Sequence, residues 1–71
     1  MPSVFDVERS WTAQVDDCAT YEQACEVLRE HCANLRAEGW RIEEGWASRD
    51  NLLAVVARCD GQERTIQIVK A

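Results

Sequence analysis

The chain has 71 residues, with eight basic and thirteen acidic side chains and a formal net charge of −5. This length predicts one small domain spanning residues 1–71, and the acidic balance argues against nucleic acid and anionic membrane as partners, because both bind basic surfaces. Apolar residues make up 46% and charged residues 30% of the chain, which is typical of a folded globular domain and not of a disordered one.

Apolar and polar side chains alternate in the first segment. With Arg9 as the exception, the alternation predicts a single half-buried strand over residues 5–15. The spacing of Val4, Val7, Trp11 and Val15 leaves a helix as the alternative. On the strand interpretation, the odd-numbered residues share one face: Phe5, Val7, Arg9, Trp11, Ala13 and Val15.

A helix is predicted next. Thr20 followed by Gln23 fits a capping box, so we expect the helix to begin after Thr20, with Asp17 as the alternative cap. Gly39 predicts the C-terminal end. Between them a stripe at helical spacing should face the core, with Ala24 and His31 on its flank: Tyr21, Cys25, Leu28, Cys32 and Leu35. The opposite face should meet water: Gln23, Glu26, Glu30, Ala33 and Ala37.

Three strands are predicted after the helix, at residues 40–47, 52–59 and 63–69. Asp60-Gly61 is a strong signal for a two-residue hairpin loop, because both positions of that turn favour positive φ. This loop pairs Val55 with Ile66 and Leu53 with Ile68. The face turned to the helix then carries an apolar set: Trp40, Ile42, Trp46, Leu53, Val55, Ala57, Cys59, Ile66 and Ile68.

A four-residue turn at Ser48–Asn51 joins the first two of these strands. In that register Glu44 points toward the core, and a bulge at Glu44-Gly45 would turn it away. The predicted fold is therefore α+β, in the order strand, helix and three-stranded antiparallel meander (βαβββ), with the helix packed on one face of the sheet.

Four cysteines in a chain of this length raise the question of a metal site or a disulfide. Cys18, Cys25 and Cys32 are seven residues apart, which is about 10.5 Å along a helix axis, too far for a disulfide or for a shared zinc ion. Cys59 is a possible disulfide partner only for Cys32. We expect the cysteines to be reduced and to act as small apolar residues that let helix and sheet approach closely.

No pattern indicates catalysis. His31 and Cys32 point in different directions on a helix and lack an orienting third group, and Glu43 and Glu44 alternate faces on a strand. A glycine-rich phosphate loop is also missing from the sequence. The sequence predicts a protein that is not an enzyme and needs no metal or cofactor.

The uncovered face of the sheet is the predicted binding surface. With one helix available, an apolar island within a charged rim has no cover in this fold, and such patches mark interaction sites. The predicted partner-binding residues are Leu52, Ala54, Val56, Arg58, Val69 and Arg41. An acidic row on the helix, Glu22, Glu26 and Glu30, is a second candidate docking surface, although a solvated helix face is the favoured explanation for it.

The first residues lack the basic start and apolar stretch of a signal peptide, and the longest apolar run, at 52–57, is too short to span a bilayer. We therefore expect a cytoplasmic protein, in which thiols stay reduced.

The segment LRAEGWRIEEGW, residues 35–46, resembles a signature of short bacterial domains of unknown function. In that family a helix ends at a Glu-Gly-Trp turn and a β-hairpin follows. The matching positions are Leu35, Glu38, Gly39, Trp40 and Ile42. The resemblance implies the order of elements and carries no known chemistry.

The sequence thus predicts a small non-catalytic interaction module that binds a protein partner, or itself as a homodimer. Two alternatives stay open: an acidic inhibitor encoded by a phage or mobile element, which rests on size and charge alone, and a thiol-based redox or metal module.

Overall fold

A computed structural model describes residues 4–43 and 53–71 of the chain. Within these ranges the elements are β1 (Phe5–Arg9), β2 (Val15–Cys18), α1 (Tyr21–Ala37), β3 (Arg41–Ile42), β4 (Leu53–Cys59) and β5 (Gln62–Lys70). The strands form one antiparallel sheet in the order β2-β1-β5-β4-β3. The predicted α+β class is confirmed, whereas the predicted order βαβββ lacks one strand.

The missing strand comes from the first segment, where the prediction of one strand over 5–15 is wrong. β1 and β2 form an antiparallel hairpin in which Glu8 lies opposite Val15. The Thr12 side chain accepts a hydrogen bond from the backbone N–H of Gln14 at 3.2 Å and so stabilises the turn between the strands. In this register Val15 pairs with Glu8, so the two share a face of the sheet. Val15 therefore lies on the opposite face from Val7, and its side chain is 43% exposed.

The helix begins and ends where the sequence predicts. The Thr20 Oγ1 atom accepts a hydrogen bond from the Gln23 N–H at 3.1 Å, which confirms Thr20 as the N-cap. At the other end, Gly39 has φ +94°, its N–H donates to Arg36, and the Trp40 N–H donates to the Leu35 carbonyl at 2.9 Å. This pair of hydrogen bonds is the Schellman arrangement that glycine favours.

The predicted meander is present in part: its last two strands, β4 and β5, are both seen, and its first strand is described only as β3, Arg41–Ile42. Asp60 and Gly61 both have positive φ, 50° and 79°, as the two-residue loop requires. β4 and β5 pair in the expected register, with Val55 opposite Ile66, and β3 pairs with β4 so that Arg41 lies opposite Arg58. The predicted bulge at 44–45, Trp46, the turn at 48–51 and Leu52 lie outside the described residues.

The core lies between α1 and one face of the sheet. Its largest fully buried side chains are Ile66, Ile68 and Val7, which belong to the two central strands β5 and β1. The helix contributes Ala24, Leu28, Cys32 and Leu35. The helix positions predicted to face water are all exposed, but Tyr21, predicted to face the core, is 39% exposed. The core is thus built by the N-terminal and C-terminal strands pairing at the centre of the sheet.

Two tryptophans close one end of this core. The guanidinium carbon of Arg64 lies 5.0 Å from the centroid of the Trp11 ring and 4.5 Å from that of Trp40. Arg64 therefore lies on the helix side of the sheet, where its charge meets two aromatic rings. This contact ties the β1–β2 turn, the start of β3 and strand β5 together.

Candidate interaction surface

The face of the sheet opposite α1, here called the outer face, is the candidate site. Within the described part of the chain, no helix or strand packs over it. The register of the five strands brings the following residues onto it: Asp6, Glu8, Val15, Asp17, Arg41, Glu43, Ala54, Val56, Arg58, Glu63, Thr65, Gln67 and Val69.

The predicted partner-binding residues are brought together on this face, but they differ in how accessible they are. Ala54 and Val56 are only 1% and 7% exposed, and they are not part of the core under the helix. Val69 is half-buried, and Arg41 and Arg58 are exposed. The apolar island available to a partner is therefore smaller than the sequence predicts. Leu52 is not among the described residues.

Arg58 connects two carboxylates at one end of the outer face. Its Nη1 atom donates to Glu43 Oε1 at 2.8 Å, and its Nε atom donates to Glu63 Oε2 at 3.2 Å. Arg58 and Glu63 lie directly opposite each other across the β4–β5 hairpin. All three side chains are about half exposed, so solvent screens the attraction, and the single charge of Arg58 offsets one of the two negative charges at this corner of the face.

A polar cleft lies at the opposite end, beside the β1–β2 turn. The Ser10 hydroxyl accepts a hydrogen bond from the Thr65 N–H at 2.9 Å, and Gln67 Nε2 donates to Glu8 Oε1 at 2.8 Å. These groups, with Val15 and the turn, line a cleft of about 310 Å³. Sequence reasoning missed this region because it treated 5–15 as one strand; the signals were Arg9, which breaks the alternation, and the polar residues that follow it.

His31 makes a contact that the sequence did not predict. Its Nε2 atom lies 2.7 Å from Asp16 Oδ2, and Arg9 Nε lies 3.9 Å from the same oxygen. Asp16 belongs to β2 and His31 to α1, so this contact joins the edge hairpin to the helix. The contact lies on the helix side of the sheet, where Asp16 is the side-chain partner of the chain's sole histidine.

None of the four cysteines forms a disulfide in the structure, and all four are buried or partly buried. Cys18 and Cys32 are buried in the core, and Cys25 and Cys59 are partly buried. Burial raises the pKa of Cys18 and Cys32, and burial followed by the charge of Asp60 raises that of Cys59. These thiols are therefore protonated near neutral pH, which makes them poor nucleophiles. Over residues 4–43 and 53–71, no group of three or more candidate ligands is arranged to hold a metal ion.

The acidic row Glu22, Glu26 and Glu30 is exposed along α1, as expected for either a docking surface or a solvated face. It lies away from the outer face, because α1 packs on the other side of the sheet. The structure therefore separates the two candidate surfaces that the sequence predicts.

No helix in the described ranges has the length and apolar character needed to cross a membrane. Comparison of the chain with protein-family models, curated proteins and solved structures gave no match.

Proposed function

We propose that the chain is a non-catalytic binding module that docks a protein partner on the outer face of its sheet. The observation that supports this most directly is the one-sided packing of α1: five strands present a continuous second face over which no described element lies. A sheet face that no helix covers, and that carries both apolar and polar side chains, is a common protein-binding surface.

The charges on the outer face suggest the chemistry of the partner. Arg58 is neutralised by its two carboxylates, whereas Glu8 and Asp17 lie at the opposite edge near the exposed Val15. The complementary surface would carry Lys or Arg around a small apolar centre. A second copy of this acidic chain would bring like charges together, so a partner with a basic surface suits the face better than self-association.

The proposal can be tested by adding one charge to the outer face. Val69→Arg and Val15→Arg each introduce a large cation, and Ala33→Arg is the matched control on the exposed side of α1. Proteins captured from the source cells by the wild-type chain should be lost with the two outer-face variants and retained with the control. Methyl NMR shifts on adding the purified partner should then concentrate at Val15 and Val69.

Three other results would each support a different function. Native mass spectra over a range of concentrations that show a wild-type dimer, lost in Val69→Arg, would establish self-association instead. A partner that is lost only when Glu26 and Glu30 are changed to Gln would move the binding surface to the helix, as expected for an acidic inhibitor. Metal mass or missing alkylatable thiols in the native protein would favour the thiol module.

A further inference from the structure

A groove between the C-terminal half of α1 and strands β3 and β4 lies on the side of the sheet away from the outer face. Its described lining has an aliphatic floor of Leu28, Cys32, Ile42 and Val55, and its volume is about 350 Å³. Leu28 and Cys32 are each 5% exposed and Val55 is 7% exposed, so the floor is continuous with the core. Grooves of a few hundred Å³ with an apolar lining and a few polar groups are typical of small-ligand sites.

Two arginines of α1, Arg29 and Arg36, flank this floor. Both are exposed, and in the described ranges neither makes an ion pair or a side-chain hydrogen bond. Both arginines line the groove beside the floor. Burial raises the pKa of the Cys32 thiol, and the positive charge of Arg36 partly offsets this effect. Arg58 and Arg64, by contrast, are engaged by carboxylates and by tryptophan rings.

Guanidinium groups without a carboxylate partner, beside an aliphatic floor, suit a ligand that has both an anionic group and an apolar body. We propose that the groove binds a small carboxylate with an unbranched alkyl body, with the alkyl chain on the floor and the carboxylate held by Arg36 or Arg29. Guanidinium groups bind carboxylates through paired hydrogen bonds, and the surrounding net charge of −5 leaves these arginines as a local exception to an acidic surface. None of the described lining residues is aromatic, and the described floor is apolar and aliphatic, so an alkyl chain suits it better than a planar aromatic body.

Glu43 also lines the groove and would oppose an anion. Its carboxylate, however, accepts a hydrogen bond from Arg58 at 2.8 Å. That contact directs the carboxylate toward Arg58 on β4, on the outer face, and offsets part of its charge. The two helix arginines therefore set the charge that a ligand entering from the α1 side would meet.

The test is a titration of the ¹⁵N-labelled chain with decanoate, read as amide chemical shifts. Saturable shifts should appear at the groove, around Cys32, Ile42 and Val55, with a dissociation constant on the order of 1 mM, as expected for a ligand of about a dozen heavy atoms. Decanol and decyltrimethylammonium, which keep the alkyl chain and change the head group, should bind at least tenfold more weakly.

Variants of the two arginines complete the test. Arg36→Gln and Arg29→Gln should each weaken decanoate binding, and the double variant should weaken it by about tenfold or more, the loss expected for a charge-assisted contact. Lys70→Gln, which makes the same change of charge at an exposed site away from the groove, should bind as the wild type does. All three positions are exposed, so the four variants should keep the circular dichroism spectrum of the wild-type chain.

Three results would overturn the proposal. Equal binding of decanol and decanoate would remove the role of the arginines, and shifts scattered over the chain would indicate non-specific association. A peptide with acidic and apolar side chains that shifts the groove amides where decanoate does not would make the groove a protein-docking site. None of these results depends on the outer face, so the two proposals fail independently.

Discussion

Val7 and Val15 form a matched pair that tests the β1–β2 hairpin. A single strand over 5–15 would place both valines on the same buried face, whereas the structure buries Val7 completely and leaves Val15 43% exposed. The same substitution, valine to alanine, should therefore have very different consequences at the two positions.

The size of the difference follows from burial. Valine to alanine removes two carbon groups, each worth about 0.8 kcal/mol when buried, and the cavity left at a fully enclosed site adds to that loss. We expect Val7→Ala to lower the free energy of unfolding by about 2 kcal/mol and Val15→Ala by less than about 0.5 kcal/mol. A domain of 71 residues has a total stability of roughly 4–10 kcal/mol, so the first change is severe.

Urea unfolding followed by tryptophan fluorescence measures this difference directly, and thermal unfolding provides a second readout. The melting temperature of Val7→Ala should fall by roughly 8–16 °C, because about 1 kcal/mol corresponds to 4–8 °C in a domain of this size. Val15→Ala should melt within a few degrees of the wild type. Equal losses at both positions would contradict the hairpin and restore the single strand.

Two further predictions concern the helix end and the thiols. Gly39→Ala should cost about 1 kcal/mol in chemical unfolding, because φ is +94° while the space around a new Cβ is open; an unchanged midpoint would argue against the Schellman arrangement. Burial raises the pKa of Cys18 and Cys32 above 9.0, so their contribution to stability should be complete below that pH and lost as pH rises through the folded-state values. Cys32→Ala should reduce that alkaline loss, and iodoacetamide should modify both thiols slowly at pH 7.5 until the chain is unfolded by urea.

Local signals in the sequence were sufficient to predict the helix and the last hairpin. Thr20, Gln23 and Gly39 specify the ends of α1 through hydrogen bonds within a few residues, and Asp60-Gly61 specifies a turn through its own φ preference. The register of β4 and β5 then follows, since a two-residue loop fixes which residues are opposite each other.

The prediction of a single strand over residues 5–15 is wrong for a physical reason. Alternation of apolar and polar residues indicates which side chains share a face only while the chain stays extended. The turn between Arg9 and Val15 breaks the extended chain, so residues before and after it no longer follow one alternation. The pairing of β1 with β5 is a contact between the two ends of the chain, about 60 residues apart, and no local motif encodes it. The outer face was therefore predicted from its C-terminal half alone, without Glu8, Val15 and Asp17.

The His31 contact with Asp16 was missed for the same reason. Sequence reasoning placed Asp16 beyond the end of a strand and His31 on the flank of a helix, with nothing to bring them together. Once β2 folds back beside β1, Asp16 points to the helix side and reaches His31 at 2.7 Å. A side-chain contact between distant elements becomes predictable only after the topology is known.

The edge strands of the sheet are an alternative place for a partner to bind, through backbone pairing along the edge. Among the described residues β3 spans two and β2 spans four, so the described part of neither edge offers a long row of unpaired backbone groups. Asp16 and Asp17 occupy the centre of β2. Pairing of two copies along β2 would bring these carboxylates into proximity, which is a common way in which natural sheets prevent edge-to-edge association. Asp17→Val removes one exposed charge and raises strand propensity, while Asp16 keeps its contact with His31.

If β2 is protected by charge, Asp17→Val should associate with increasing concentration in sedimentation equilibrium at pH 7, whereas the wild type should not. Asp60→Asn, at the hairpin tip, changes the net charge by the same amount away from this edge and should behave as the wild type does. A monomeric Asp17→Val would show that strand length, rather than charge, keeps the edge unpaired. Either result concerns the β2 edge alone and leaves the proposal of a binding surface on the outer face to its own test.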